Sequence, residues 1–373
     1  MRVDSHNTEL RSRKTRVLVV ESAGNLWGSE RVLLDMLVGM SGPDVAVCCP
    51  PGTPIVSELQ RLRIRVFETF VERLHEKTKW SRLRALFGVL RACAAHRPEL
   101  IYLNQAGCYR IARVAARLFR VPLVVHVRIY DDAEYLARVR PDPRELRGIV
   151  AISHAIADEI AKYPALRGLP VHTIYDGYAP TAATTPPEAP RVPGRVACVG
   201  RMVPIKGQDV LLEALAWRRA QGWATRCAMV GSGDGYWEEL KRKCSALGLD
   251  DAVEWTGFQR DPLKYLREVA VLVVPSHREP LGRVVFEAWD SGCVPVACAA
   301  SGGAAEVIAA SGGGVLYPKQ TAEELGRAIE QALTLGVGER AELVLRGRAW
   351  MTEQCAPARY ATVMRAVFAQ AVG

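Results

Sequence analysis

The chain has 373 residues, 49% of them hydrophobic and 24% charged, a mix that fits two globular domains and excludes a disordered chain. Its 49 basic and 40 acidic residues leave a net charge of +9, but no zinc finger, RRM-type aromatic signature or basic low-complexity tail accompanies it, so no nucleic-acid partner is expected. No uninterrupted apolar run approaches the ~18–20 residues of a membrane span.

Residues 1–15 carry no apolar core of a signal peptide and read as a flexible leader, which points to a cytoplasmic protein. From residue 16 onward, short β-branched runs alternate with helical patterns. The runs of the first half are 17–20, 45–49, 64–67, 100–103, 123–127 and 149–152. Those of the second half are 196–199, 227–230, 252–255, 271–274, 294–297 and 314–316. Continuously apolar strands separated by helices imply parallel sheets covered on both faces, and two such sets imply an α/β fold of two Rossmann-like, doubly wound domains facing across a cleft. The expected domains are 16–178 and 195–351. Residues 179–194, with five prolines, form the linker, and a closing helix over about 352–373 packs back on the first domain.

Between the first runs, residues 61–91 hold nine basic and three acidic residues. Within them Trp80, Leu83, Phe87 and Leu90 share one helical face, with Arg82, Arg84 and Arg91 elsewhere. An ordinary core helix is the commoner meaning of such a stripe, and a peripheral membrane contact is the other. His126 ends a strand in Val-His-Val-Arg. The ten cysteines form no CxxC pair and no metal-spaced cluster; those inside strands read as small buried hydrophobes, kept reduced.

The second half carries the chemistry. Arg201 and Lys206 follow the strand 196–199 and suit a diphosphate. The turn 230–235, with Gly231 and Gly233, mimics a dinucleotide fingerprint but has the wrong final spacing, and reads better as glycines that let a nucleotide approach the backbone. In 276–296, Glu279 falls in a loop and a helix opens around Gly282, Arg283 and Val284, whose N–H groups can face an anion. Glu287, one turn into that helix, can hold a vicinal diol.

Six landmarks then stand in order: VGRMVPIKG at 199–207, VGSGDG at 230–235, WTGF at 255–258, the two glutamates at 279 and 287, SGCVPVA at 291–297 and SGGAAEVI at 301–308. With Gly28-Ser-Glu-Arg31, AISHAIADEI at 151–160 and TIYDGY at 173–178, the chain resembles the GT-B-fold glycosyltransferases of family 4 (group 1), which are retaining and use nucleotide sugars. The resemblance implies that Arg201 and Lys206 hold the donor diphosphate, Glu287 the ribose, and Glu279 with Gly282–Val284 the transferred sugar. It also implies that Gly257 and Phe258 flank the base and that Gly28 lets the first-domain loop approach the donor. The family's histidine maps to His126 or, shifted by two, to Arg128.

A UDP-sugar donor is favoured and a GDP-sugar comes next. The acceptor hydroxyl belongs to a sugar, a glycolipid or a natural product. No DxD occurs, so metal-independent transfer without a cofactor is expected. Pro280 stands where the family has a glycine-rich turn, and Trp27 where it carries the first of two glycines. Two other readings stay open: an NAD(P)-dependent oxidoreductase built on 230–235, and a nucleotide-sugar-binding module without transfer.

Overall fold

The computed structural model describes residues 14–26, 28–40, 42–71, 78–181, 192–233 and 235–373. Nearly all of the leader, Trp27 and most of the expected linker lie outside them. The first domain holds strands β1 (Arg16–Val20), β2 (Asp44–Cys49), β3 (Arg65–Glu68), β4 (Leu100–Leu103), β5 (Leu123–Val127), β6 (Leu146–Ala151) and β7 (Val171–Thr173). Its helices are α1 (Gly28–Gly39), α2 (Pro54–Arg61), α3 (Lys79–His96), α4 (Tyr109–Phe119), α5 (Tyr130–Val139) and α6 (His154–Ala161). The second holds β8 (Arg195–Val199), β9 (Arg226–Val230), β10 (Val253–Gly257), β11 (Val271–Val274), β12 (Val294–Cys298) and β13 (Val315–Tyr317). Its helices are α7 (Gln208–Ala220), α8 (Tyr236–Ala246), α9 (Leu263–Arg267), α10 (Arg283–Asp290), α11 (Gly303–Ser311), α12 (Ala322–Thr334) and α13 (Val337–Gln354), and α14 (Pro357–Val372) closes the chain.

All twelve expected strands form. β7, with the sequence Val-His-Thr, was not anticipated, because three residues with a central histidine carry no readable period. Both sheets are wholly parallel, in the orders β3-β2-β1-β4-β5-β6-β7 and β10-β9-β8-β11-β12-β13. These are two doubly wound domains, as expected, since strands such as Leu100–Leu103 and Leu123–Val127 are buried on both faces. In such sheets the ligand site lies outside the carboxyl ends of the strands, where the winding reverses. Here those points fall between β1 and β4 and between β8 and β11.

α14 lies on α1, and its Tyr360, Met364, Val367 and Phe368 complete the first domain's core with Val17, Leu33 and Met36. The chain crosses back at Cys355, whose carbonyl accepts the Tyr178 N–H at 2.8 Å. All ten cysteines are buried and none is in a disulfide. Among the described residues no helix is long and apolar enough to cross a membrane.

One expectation is overturned. Of the Trp80–Leu83–Phe87–Leu90 stripe, α3 packs only Leu90 against the core; Trp80 is 79% exposed and Phe87 69%. It buries Ala85, Val89, Ala92 and Cys93 instead, beside Ala112, Ala115 and Ala116 of α4. Small side chains let the two helices lie close together on the sheet, and bulky ones are left outside.

Candidate active site

The loops after β8 and β11 meet at the winding reversal of the second domain. Gly207 has φ +65°, and a side chain there would run into the Pro275 carbonyl. The His277 N–H donates to the Ile205 carbonyl at 3.0 Å. This contact sets Lys206 beside Glu279, and its Nζ donates to Glu279 Oε2 at 2.6 Å. Ser276 Oγ donates to the same oxygen at 2.9 Å. The Glu279 backbone is tied down on both sides: its N–H reaches the Ser301 carbonyl at 2.6 Å and its carbonyl accepts from the Gly303 N–H at 2.7 Å. Oε1 carries no hydrogen bond among the described residues. Arg201, six positions after β8 begins, is exposed and has no ion-pair partner among them.

Gly282, at φ +77°, is the N-cap of α10. A Cβ there would press on Ala304 Cβ at 2.8 Å and Glu279 Cγ at 3.2 Å, so glycine keeps the helix start against the buried glutamate. The N–H groups of Arg283 and Val284 begin the helix and have no acceptor within it. The Arg283 guanidinium reaches back to the Gly177 carbonyl at 3.1 Å and lies 5.1 Å from the Tyr178 ring centre, holding the passage between domains. Val284 is half-buried against the core. Glu287 is half-buried one turn on, with no hydrogen bond or ion pair among the described residues. Burial raises its carboxyl above the usual range, although the charges of Arg283 and Arg31 oppose this. At the end of β10, Gly257 (φ +69°) faces open space, and Phe258 just after it is exposed.

The first domain closes on this site. α1 starts at Gly28, where a Cβ would lie 3.8 Å from Arg283 Cδ, so two helix N-termini converge. Tyr130 Oη donates to the Glu279 carbonyl at 3.4 Å and Ser153 Oγ to the Pro280 carbonyl at 2.5 Å. Arg278 bonds Glu159 at 2.9 Å and stacks on Tyr130 at 3.8 Å. Glu306 of α11 caps α6, accepting from the His154 and Ala155 N–H groups at 2.9 Å each and from Tyr175 Oη at 2.6 Å. The main-chain carbonyl of Pro280 is thus an interdomain acceptor.

One reading needs correction, and one gains a packing explanation. Gly231 and Gly233 serve packing within the protein: side chains on them would enter the Gly200 and Met202 carbonyls. They let the turn after β9 run against the loop after β8, with Gly200 and Met202 donating to Val230 and Ser232 at 2.9 Å. The dinucleotide-like pattern therefore needs no nucleotide to explain it. His126 is fully buried on the α14 side of β5, its Nδ1 2.7 Å from Tyr102 Oη, and its pKa is driven well down by burial and then by Arg128. It is a neutral core histidine and is not brought to Glu279.

Arg128 is buried as well. It bonds Asp176 at 2.7 Å, the Asn104 carbonyl at 3.0 Å and Asn104 Oδ1 at 2.9 Å. Asn104 donates in turn to Glu21, which also accepts from the Ala23 N–H at 2.7 Å. Sequence reading missed this network, although its signal is visible: a polar residue directly follows each of β1 (Glu21), β4 (Asn104) and β5 (Arg128). It pins the loop leading to Gly28.

Burial, and then the charge of Glu30, push the Glu21 carboxyl up to about 7. Between its ordinary 4.5 and that value, the folded chain keeps a proton that the unfolded chain has lost, so stability falls as pH rises through this window. The stability of wild type minus that of Glu21→Gln is expected to drop by on the order of 3 kcal/mol between about pH 4 and pH 8. Urea denaturation of both chains across that range checks it.

Comparison with known proteins agrees with this arrangement. Residues 187–350 match the family model "Glycosyl transferases group 1", and residues 28–177 the "Glycosyl transferase 4-like domain". The lipopolysaccharide core biosynthesis glycosyltransferase LpsE of Rhizobium meliloti is 34% identical over 150 residues, covering 39% of this chain and 40% of LpsE. LpsD of the same organism is 26% identical over 238 residues, covering 63% of this chain and 65% of LpsD. The chain thus spans less than two thirds of the length of either relative. Among solved structures, Anabaena Alr3699/HepE in complex with UDP and glucose superposes with a TM-score of 0.78 at 21% identity, covering 95% of this chain and 99% of that one. With both domains matched in order and both sheets wound alike, the chain belongs to the GT4-type glycosyltransferases of GT-B fold.

Proposed function

We propose that this protein transfers a hexosyl group from a nucleoside-diphosphate sugar to an acceptor hydroxyl, with retention and without a metal ion. The observation that carries this is the Lys206–Glu279 pair, set at the winding reversal beside the first turn of α10 with Glu287 one turn on. The diphosphate lies against Lys206, Arg201 and the N–H groups of Arg283 and Val284, and Gly28 leaves room for it. Fixed cations and helix N-termini offset the charge that grows on a leaving diphosphate, the task a metal performs elsewhere. Glu287 takes the ribose diol, Glu279 Oε1 a sugar hydroxyl, and Gly257 and Phe258 flank the base.

The C1–O bond to the diphosphate breaks while the acceptor oxygen bonds to C1 on the same face. The acceptor proton passes to the departing phosphate oxygen, so no enzyme nucleophile enters. A UDP-sugar is the favoured donor, supported by the UDP in the HepE complex, with a GDP-sugar next. The names of LpsE and LpsD favour an acceptor hydroxyl on a sugar or glycolipid. Nucleoside-diphosphate sugars and ten buried thiols outside any disulfide both fit the cytoplasm.

A thermal-shift panel of UDP, GDP, dTDP, ADP, their sugar conjugates and NAD(P)(H), with and without EDTA, tests this. One nucleotide family is expected to stabilise the chain by ~2.7 kcal/mol at a hundred times its dissociation constant, unaffected by EDTA. A shift with NAD(P) alone, or one abolished by EDTA, overturns the reading.

A further inference from the structure

Among the described residues, the face that α3 turns outward has no packing partner. Trp80 is 79% exposed, Phe87 69% and Leu83 55%, and Phe70 beside them is half-exposed under the Arg84 guanidinium at 4.2 Å. α4 runs alongside α3 and adds exposed Val114 and Leu118. Neither helix contains an aspartate or glutamate. Lys79, Arg84 and Arg91 of α3 and Arg110 of α4 are exposed around the apolar residues, while Arg113 and Arg117 pair with Glu145.

A bulky apolar ridge with cations along its rim complements a bilayer with anionic headgroups: aromatic and leucine side chains enter the interface while guanidinium groups hold phosphates. A helix that follows a parallel strand starts at that strand's carboxyl edge, so Trp80, in the first turn of α3, stands on the cleft side of the first domain. We propose that the outer face of α3, extended by α4, docks this protein on an anionic lipid bilayer with the cleft edge toward the membrane. This goes beyond the transfer reaction and does not depend on it.

The test is co-sedimentation of the full chain with vesicles of phosphatidylcholine alone and of phosphatidylcholine with phosphatidylglycerol at roughly 7:3. Binding is expected only to the anionic vesicles, weakening as salt rises from about 50 to 500 mM. Arg84→Gln and Arg91→Gln should each lower it about fivefold at low salt. The triple variant Trp80→Ala, Leu83→Ser, Phe87→Ser should lower it at least ~tenfold. These side chains are exposed, so the melting temperature and the nucleotide response should stay unchanged, which separates loss of docking from loss of fold. Four results would overturn the proposal: no binding to anionic vesicles, equal binding to neutral ones, equal binding by the triple variant, or a dimer that the triple variant dissolves while vesicles stay unbound.

Discussion

Replacing Lys206 with methionine is expected to lower kcat by about 10²–10³-fold, the usual cost of deleting one preorganised group that stabilises transition-state charge. Contacts within the chain fix Lys206 in place: Gly207 against Pro275 sets the loop, and Nζ lies 2.6 Å from Glu279 Oε2. The substitution also strands a buried carboxylate with only Ser276 as donor, at a cost of about 1–3 kcal/mol in stability. The double variant Lys206→Met, Glu279→Gln separates the two effects, because the neutral amide no longer needs a cation. Its urea midpoint should return toward wild type while kcat stays low. Recovery of both would show that Lys206 serves only to neutralise Glu279.

Glu287→Ala is expected to act on donor binding rather than on the chemical step. A hydrogen bond to a charged group contributes about 1.5–3 kcal/mol, so losing the carboxylate should weaken nucleotide binding by roughly 10–100-fold, or more if both diol hydroxyls are held. The ribose lies away from the bond that breaks, so the loss should appear in KM with kcat little changed. A donor nucleotide lacking the 2′-hydroxyl supplies the second arm of a cycle: it should bind wild type more weakly and the variant no worse than the parent nucleotide. Burial already disfavours the Glu287 carboxylate, so its removal should leave the melting temperature unchanged or raised. A lower melting temperature with unaltered nucleotide affinity would make Glu287 a structural residue.

The parts of the site legible in the sequence are those where chain-neighbouring residues do the work. Arg201 and Lys206 follow one buried strand, Glu279 follows another, and Gly282 opens a helix that carries Glu287 one turn along. Strand-loop-helix geometry then places each at a sheet's carboxyl edge without further information. Residues that act through distant partners were not legible. Tyr130 and Glu279 are 149 positions apart, Ser153 and Pro280 127, and His154 and Glu306 152, so nothing local marks them as a clamp between domains. His126 lies in β5 and Arg128 just past its end, and only the packing of α14 and the neighbouring loops shows that His126 meets Tyr102 in the core while Arg128 bonds Asp176.

The sequence by itself determined the alternation of apolar strands and helices, the two parallel sheets and the loops that carry the cations and glutamates. Periodicity and loop position are local properties, and burial on both sheet faces leaves them little freedom. The tertiary structure alone decided what each ambiguous surface meets. Gly231 and Gly233 face a neighbouring loop of the same chain, since two backbones there approach more closely than any side chain allows. α3 has an apolar row on either side, one small and one bulky. The close seat offered by the sheet and α4 accepts Ala85, Val89 and Ala92, which leaves Trp80, Leu83 and Phe87 facing outward. Steric fit, which hydrophobicity along a chain does not encode, made that choice.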